Sequence, residues 1–219
     1  MAQTQTTKIL FGLFSQAVLA LAMVRKKSFD RDAALAVAMQ VFWERGYEAT
    51  STDVLTEAMG IGRQSLYDTF GDKRKLYLEA LRLYSAQSVS ELVARVRGEA
   101  SPLQALLAVL SQAGVLPADR RKLGCMGVNA IGEFGQSAND VLEAMDGSGS
   151  VLDLVLESLV REGIAAGEIL GCVKPETAVR YLLSVRSGLM IAARGGAAPE
   201  HLLEVADMAL NALRTKASV

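Results

Sequence analysis

The chain has 219 residues, room for one small and one larger folded unit. Hydrophobic residues make up 51% and aromatics only 5%, with many Ala and Leu, which favours helix packing and argues against a β-sandwich. A net charge of −1 excludes a broadly basic nucleic-acid binder, and two cysteines with one histidine exclude a disulfide framework or a Cys/His metal cluster, so a reducing cytoplasm is the expected setting.

Residues 9–24, ILFGLFSQAVLALAMV, carry no charge and are short for a membrane span. With Lys8 and Ala20-Leu21-Ala22 they imitate an export signal. Two readings stand side by side: translation begins at Met23 and the upstream residues are not native, or the extension is a helix docked on the body or a membrane surface. Arg25, Lys26 and Lys27 then form a basic arm. Such an arm can reach phosphates or a minor groove, or can be a solvated tail.

The first predicted helix spans 31–45, capped by Ser28 or Asp30. Ala34, Leu35, Ala38, Met39 and Phe42 share one apolar face, with Trp43 beside it.

Residues 46–76, GYEATSTDVLTEAMGIGRQSLYDTFGDKRKL, are the most informative part of the chain. They read as two short helices joined by a glycine turn, then the start of a third, the layout of a helix-turn-helix. Thr50 or Ser51 can cap the first helix, with Asp53 suiting its N-terminus, and Val54, Leu55 and Ala58 are expected inward. Gly60 allows the turn, and Ile61 would plug the angle between the helices. In the second helix, 62–69, Leu66 faces inward and leaves Arg63, Gln64, Ser65, Tyr67 and Thr69 outward. Arg can read guanine edges, Gln adenine edges, and hydroxyls can bond phosphates. Thr50 and Ser51 join the expected DNA contacts, and Lys73, a cation at a helix start, would clamp the backbone. An ordinary helical hairpin with a solvated polar face has the same outline.

Residues 32 to about 84 resemble the DNA-binding domain of the TetR family of transcriptional regulators. Ala33-Ala34, Ala38, Phe42, Gly46-Tyr47, Thr50-Ser51, Leu55, Ala58, Gly60 and Ile61 carry the likeness. Ser65-Leu66-Tyr67 with Phe70, Lys73 and Leu76 is similar to that family's tLYhyFxsKeaL signature. Gly62 departs from the usual Ser or Thr cap, and Asp68 from the usual His or aromatic. The resemblance implies an all-α homodimer: an N-terminal three-helix helix-turn-helix domain (25–76) and a C-terminal helical effector-binding and dimerisation domain (77–219), with 1–24 an apolar extension. It further implies double-stranded operator DNA and a small-molecule effector as partners, with no cofactor and no stable membrane partner.

Beyond the reader, one long helix is expected from 73 to about 97, another from Pro102 to about 114, and a polar loop at 117–123. A short helix at 139–145 is followed by a flexible break at Gly147-Ser148-Gly149-Ser150. Three further helices, about 151–166, 175–194 and 199–214, close the chain, the last two opened by Pro175 and Pro199. The resemblance makes the final two a dimerising pair through Leu182, Val185, Leu189, Leu202, Val205 and Ala209; these side chains can instead fill the monomer core, and both can hold where a helix carries two apolar stripes.

The resemblance places an effector cavity among the middle helices, for which Met126, Asn129, Phe134, Met145, Tyr181 and Met190 are candidate lining residues. Cys125 follows Arg120-Arg121-Lys122 and precedes a helix start, conditions that favour a reactive thiolate; Gly124-Cys125 followed by Asn129 resembles a subgroup of the family, which implies sensing of electrophiles or oxidants, and an inert buried thiol is the alternative. His201 stands alone, and GxSxG, P-loop and GxGxxG motifs are absent, so no enzyme is expected. The expected function is a repressor released from a palindromic operator by a small molecule or an electrophile. The alternative is a membrane-associated helical adaptor with a repurposed helix-turn-helix.

Overall fold

The computed structural model describes residues 29–135 and 138–215. The expectations for residues 9–24 and for Arg25, Lys26 and Lys27 lie outside them, as does the adaptor reading's anchor. Among the described residues every regular element is a helix, with one isolated antiparallel bridge between Ile169 and Arg214. No described helix is long and apolar enough to cross a membrane.

Helices α1 (Arg31–Arg45), α2 (Thr52–Met59) and α3 (Arg63–Phe70) form the N-terminal cluster. Asp30 caps α1, accepting from the N–H groups of Asp32 and Ala33. Helix α4 (Lys73–Val96) is capped by Asp72, whose carboxylate accepts from Lys75 N–H at 2.8 Å. Its first half packs Leu76, Tyr77, Ala80 and Leu81 in the core. Helix α4 also packs extensively on α1 and on the long α9, so it joins the reader to the body.

The body continues with α5 (Pro102–Leu110), the single turns α6 (Gln112–Val115) and α7 (Ala118–Arg121), α8 (Met126–Phe134), α9 (Asn139–Ala165), α10 (Pro175–Arg194) and α11 (Pro199–Asn211). One buried apolar cluster runs from α1 through α4 into α9, α10 and α11. Pro102, Pro175 and Pro199 each stand in a first turn, where a missing N–H costs nothing.

Three expectations change. The break at 147–150 does not exist: α9 runs through it without interruption. Buried side chains stand on both sides of it, Val141 and Ala144 before and Leu152, Leu156 and Val160 after. Their packing with α4, α5 and α10 overrides the roughly 1 kcal/mol that each glycine costs a helix. The polar loop at 117–123 contains the turn α7. In the expected dimer face, Leu182, Leu189, Leu202 and Ala209 are instead buried within the monomer, and Val185 is half-buried. Only Val205 of that group is exposed, because the two helices turn their larger apolar stripe inward to reach α5, α6 and α9.

Candidate nucleic-acid interface

The turn between α2 and α3 depends on Gly60, which sits in the left-handed region at φ 65° and ψ 30°. Its N–H bonds back to the end of α2, and Ile61 N–H follows to the Thr56 carbonyl at 3.1 Å. That arrangement closes α2 and redirects the chain into α3. Leu55, Leu66 and Phe70 are buried beneath the turn, while Val54 is only half-buried and Ala58 is exposed.

Helix α3 presents Arg63, Gln64 and Tyr67 to solvent, with Ser65 and Thr69 half-buried beside them. Arg63 is tethered: its Nε donates to Asp53 at 2.8 Å across the turn. Gln64 donates to Asp68 at 2.7 Å. Both pairs are exposed, where such contacts contribute little, so either side chain can exchange its carboxylate for a base edge at small cost. Gly62 supplies no side-chain cap, which leaves the first N–H groups of α3 open to a phosphate.

Ser51 is the cap of α2, its hydroxyl accepting from Val54 N–H, and it is exposed. Thr50 is neither cap nor phosphate contact. It is 0% exposed, and its hydroxyl donates to the Gly46 carbonyl at 2.6 Å. Lys73 lies in the first turn of α4 with its Nζ 4.1 Å from the Tyr47 ring centroid. The ring fixes the ammonium without neutralising it.

Behind this surface lies a set of contacts between reader and body that the sequence did not disclose. Glu133 on α8 accepts N–H bonds from Tyr47 at 3.0 Å and Glu48 at 2.8 Å, in the link between α1 and α2. Arg74 on α4 donates twice to Asp140 on α9, at 2.9 and 2.7 Å, and stacks over Phe134. Hydrogen bonding to Arg74 holds the Asp140 carboxyl below its ordinary range. Phe42, Tyr47, Tyr77 and Phe134 form one aromatic cluster at this seam, and Trp43 Nε1 donates to the Gly124 carbonyl at 3.2 Å.

The expected effector-site residues do not gather in one cavity. Cys125 and Met145 border a space of about 170 Å³ among α4, α8, α9 and α10, with Tyr84, Ile131 and Arg186 also in its wall. Burial, then the neighbouring Cys125, pushes the Tyr84 phenol far above its ordinary value, so it stays a neutral donor. Cys125 precedes α8, is 8% exposed, and borders the same space as that phenol. Met126 and Asn129 border a different space of about 180 Å³ near Trp43 and Glu133, and Asn129 donates to the Leu123 carbonyl. Tyr181 borders a surface groove with Cys172 and donates to the Ala209 carbonyl. Phe134 belongs to the aromatic seam and Met190 to the core, so neither lines the Cys125 cavity. The seven candidates scatter because residue type and helical spacing mark burial, not which buried face borders a void.

The model of the family described as bacterial regulatory proteins, tetR family, matches residues 34–80. The solved TetR family transcriptional regulator CifR, a cysteine mutant complexed with a 26-base-pair double-strand operator DNA, is 31% identical. Its TM-score is 0.73, covering 86% of this chain and 99% of that one. This protein therefore belongs to the TetR family of bacterial transcriptional regulators. Among curated relatives, the HTH-type transcriptional repressor ComR of Escherichia coli (strain K12) is 29% identical over 188 residues, 85% of this chain and 90% of that one. The uncharacterised HTH-type regulator YezE of Bacillus subtilis (strain 168) is 42% identical over 84 residues, 38% of this chain and 43% of that one. The chain is a DNA-binding transcriptional regulator, a class that acts by binding and not by catalysis.

Proposed function

We propose that this protein is a cytoplasmic homodimeric repressor. One α3 per protomer reads a half-site of a pseudo-palindromic operator in the major groove, and a small molecule in the Cys125 cavity releases it. The observation that carries the reading is the span of α8. Cys125, beside the cavity, precedes its first residue, and Glu133, near its other end, holds the link that leads into α2. A ligand that shifts α8 would change the setting of α2 and α3, and would favour the form whose readers are wrongly spaced. ComR is named a repressor and the CifR structure holds operator DNA, which supports the same reading.

Base and phosphate contacts then fall to Arg63, Gln64, Ser65, Tyr67, Thr69, Ser51 and Lys73. Pairing of two copies would cover exposed apolar side chains on the last two helices, Ile191 on α10 and Val205 and Met208 on α11. Cys125 gives an electrophile a route to the same cavity, since its thiol borders the space. The proposal is tested by gel shift of the full chain on the intergenic DNA beside its gene, across a salt series with competitor. Saturable, competitor-resistant binding by a species with the mass of two chains is expected. Binding by a monomer alone would sink the dimer, and loss to competitor at every salt concentration would sink an operator at that position.

A further inference from the structure

Arg186 on α10 is 8% exposed and lies in the wall of the Cys125 cavity. Its Nη2 donates to Gln112, itself buried, at 2.9 Å. Its Nε is buried with no hydrogen-bond partner. Among the described residues no carboxylate pairs with this guanidinium. A buried charge without a counter-charge is costly, and a guanidinium cannot shed its proton to escape that cost. Gln112 accepts one hydrogen bond but returns no charge.

The rest of the wall narrows the choice of counter-charge. Val89, Leu92, Val128 and Leu152 are apolar, while Tyr84, Ser85, Ser88 and Ser148 add hydroxyls. The volume, about 170 Å³, is close to the roughly 150 Å³ of an engineered cavity that holds benzene. A single cation in the wall of a largely apolar space suits a monoanion with a compact hydrocarbon body. A dianion such as phosphate would find only one positive charge for its two negative ones.

We propose that this cavity takes a small organic carboxylate, aromatic or short-chain, whose carboxylate pairs with Arg186 while its body fills the space toward Leu92 and Leu152. The inference rests on the reading of this cavity as the effector site, and its test separates the two.

The probes are benzoate, phenylacetate and hexanoate, each beside its neutral amide, added to the full chain with calorimetric binding and operator gel shift read in parallel. At least one carboxylate should bind about tenfold or more tighter than its amide, as a charge-assisted pair requires. Arg186→Gln should bring that carboxylate down to the level of the amide. The carboxylate–amide comparison needs no variant, so it stands even if Arg186→Gln fails to fold. Equal binding of acid and amide, or no binding by any of the three acids, would overturn the proposal. Arg186-dependent binding that leaves the operator complex intact would uphold the anion site and remove the effector reading. Release by an amide, unaffected by Arg186→Gln, would do the reverse.

Discussion

The Glu133 carboxylate accepts the backbone N–H of Tyr47 at 3.0 Å and that of Glu48 beside it at 2.8 Å. One side chain of the body thus holds the peptide link that sets where α2 begins. The same Tyr47 ring packs on Tyr77 and Phe134 and carries Lys73 on its face, so the seam and the proposed phosphate contact share one residue.

Glu133→Ala should remove both bonds, lowering stability in urea by about 1 kcal/mol. It should also weaken operator binding, because the reader loses a constraint on its orientation. Equal operator affinity for mutant and parent in the same gel shift would show that the link does not position the reader.

Arg63→Ala should weaken the operator complex about 5- to 150-fold and relax preference at one base position in each half-site. Asp53→Asn frees the same guanidinium, and should strengthen binding to nonspecific duplex while preserving base preference. A binding-site selection run on both variants checks the pair of outcomes. Uniform weakening by Arg63→Ala across all sequences would reassign it to phosphate.

Thr50→Val tests the corrected role of that residue. Its buried hydroxyl satisfies the Gly46 carbonyl, so the substitution should cost about 1–2 kcal/mol of stability. The salt dependence of DNA binding should stay unchanged. Ser51→Ala should cost about 1 kcal/mol through loss of the cap. If it also reduces the salt slope, Ser51 contacts phosphate as well.

The Arg74–Asp140 bridge gives a signed pH dependence. Asp140 is depressed below its ordinary 3.8, so the unfolded state holds the proton more tightly than the folded state. The bridge therefore contributes fully above that ordinary value, and the contribution is lost as pH falls through the depressed folded value. Asp140→Asn should melt below the parent at pH 6, and the gap should close as pH falls through the depressed folded value. A gap that persists unchanged in acid would show that the bridge is not the source.

Gly147→Ala should raise stability by about 1 kcal/mol, because the residue is mid-helix and nothing lies within 4 Å of the added methyl. A loss of stability would mean that the chain turns at this point.

Much of the reader was legible in the sequence. Gly60, Leu66 and the run to Leu76 each need a specific conformation or burial, and short-range spacing reports both. Asp30, Pro175 and Pro199 marked helix starts for the same local reason. The body was less legible wherever distant residues decide. Gly147-Ser148-Gly149-Ser150 reads as a break until packing on α4, α5 and α10 is known. Leu182, Leu189, Leu202 and Ala209 have the pattern of an amphipathic face, but pattern alone cannot say whether that face meets its own chain or a second one. Arg186 drew no notice because a lone arginine on a predicted helix usually reaches solvent; only its burial beside Gln112 sets it apart. Glu133 was equally silent, since its partners lie 86 and 85 residues away.

The central claim is that α3 reads a two-fold DNA site. Selection of bound sequences from random duplex DNA by the full chain tests it most directly. The predicted result is an enriched inverted repeat whose half-sites lie about one helical turn apart, or a multiple of it, and whose enrichment collapses when Arg63 and Gln64 are both changed to alanine. Enrichment of a single unrepeated motif, or of none, would contradict it.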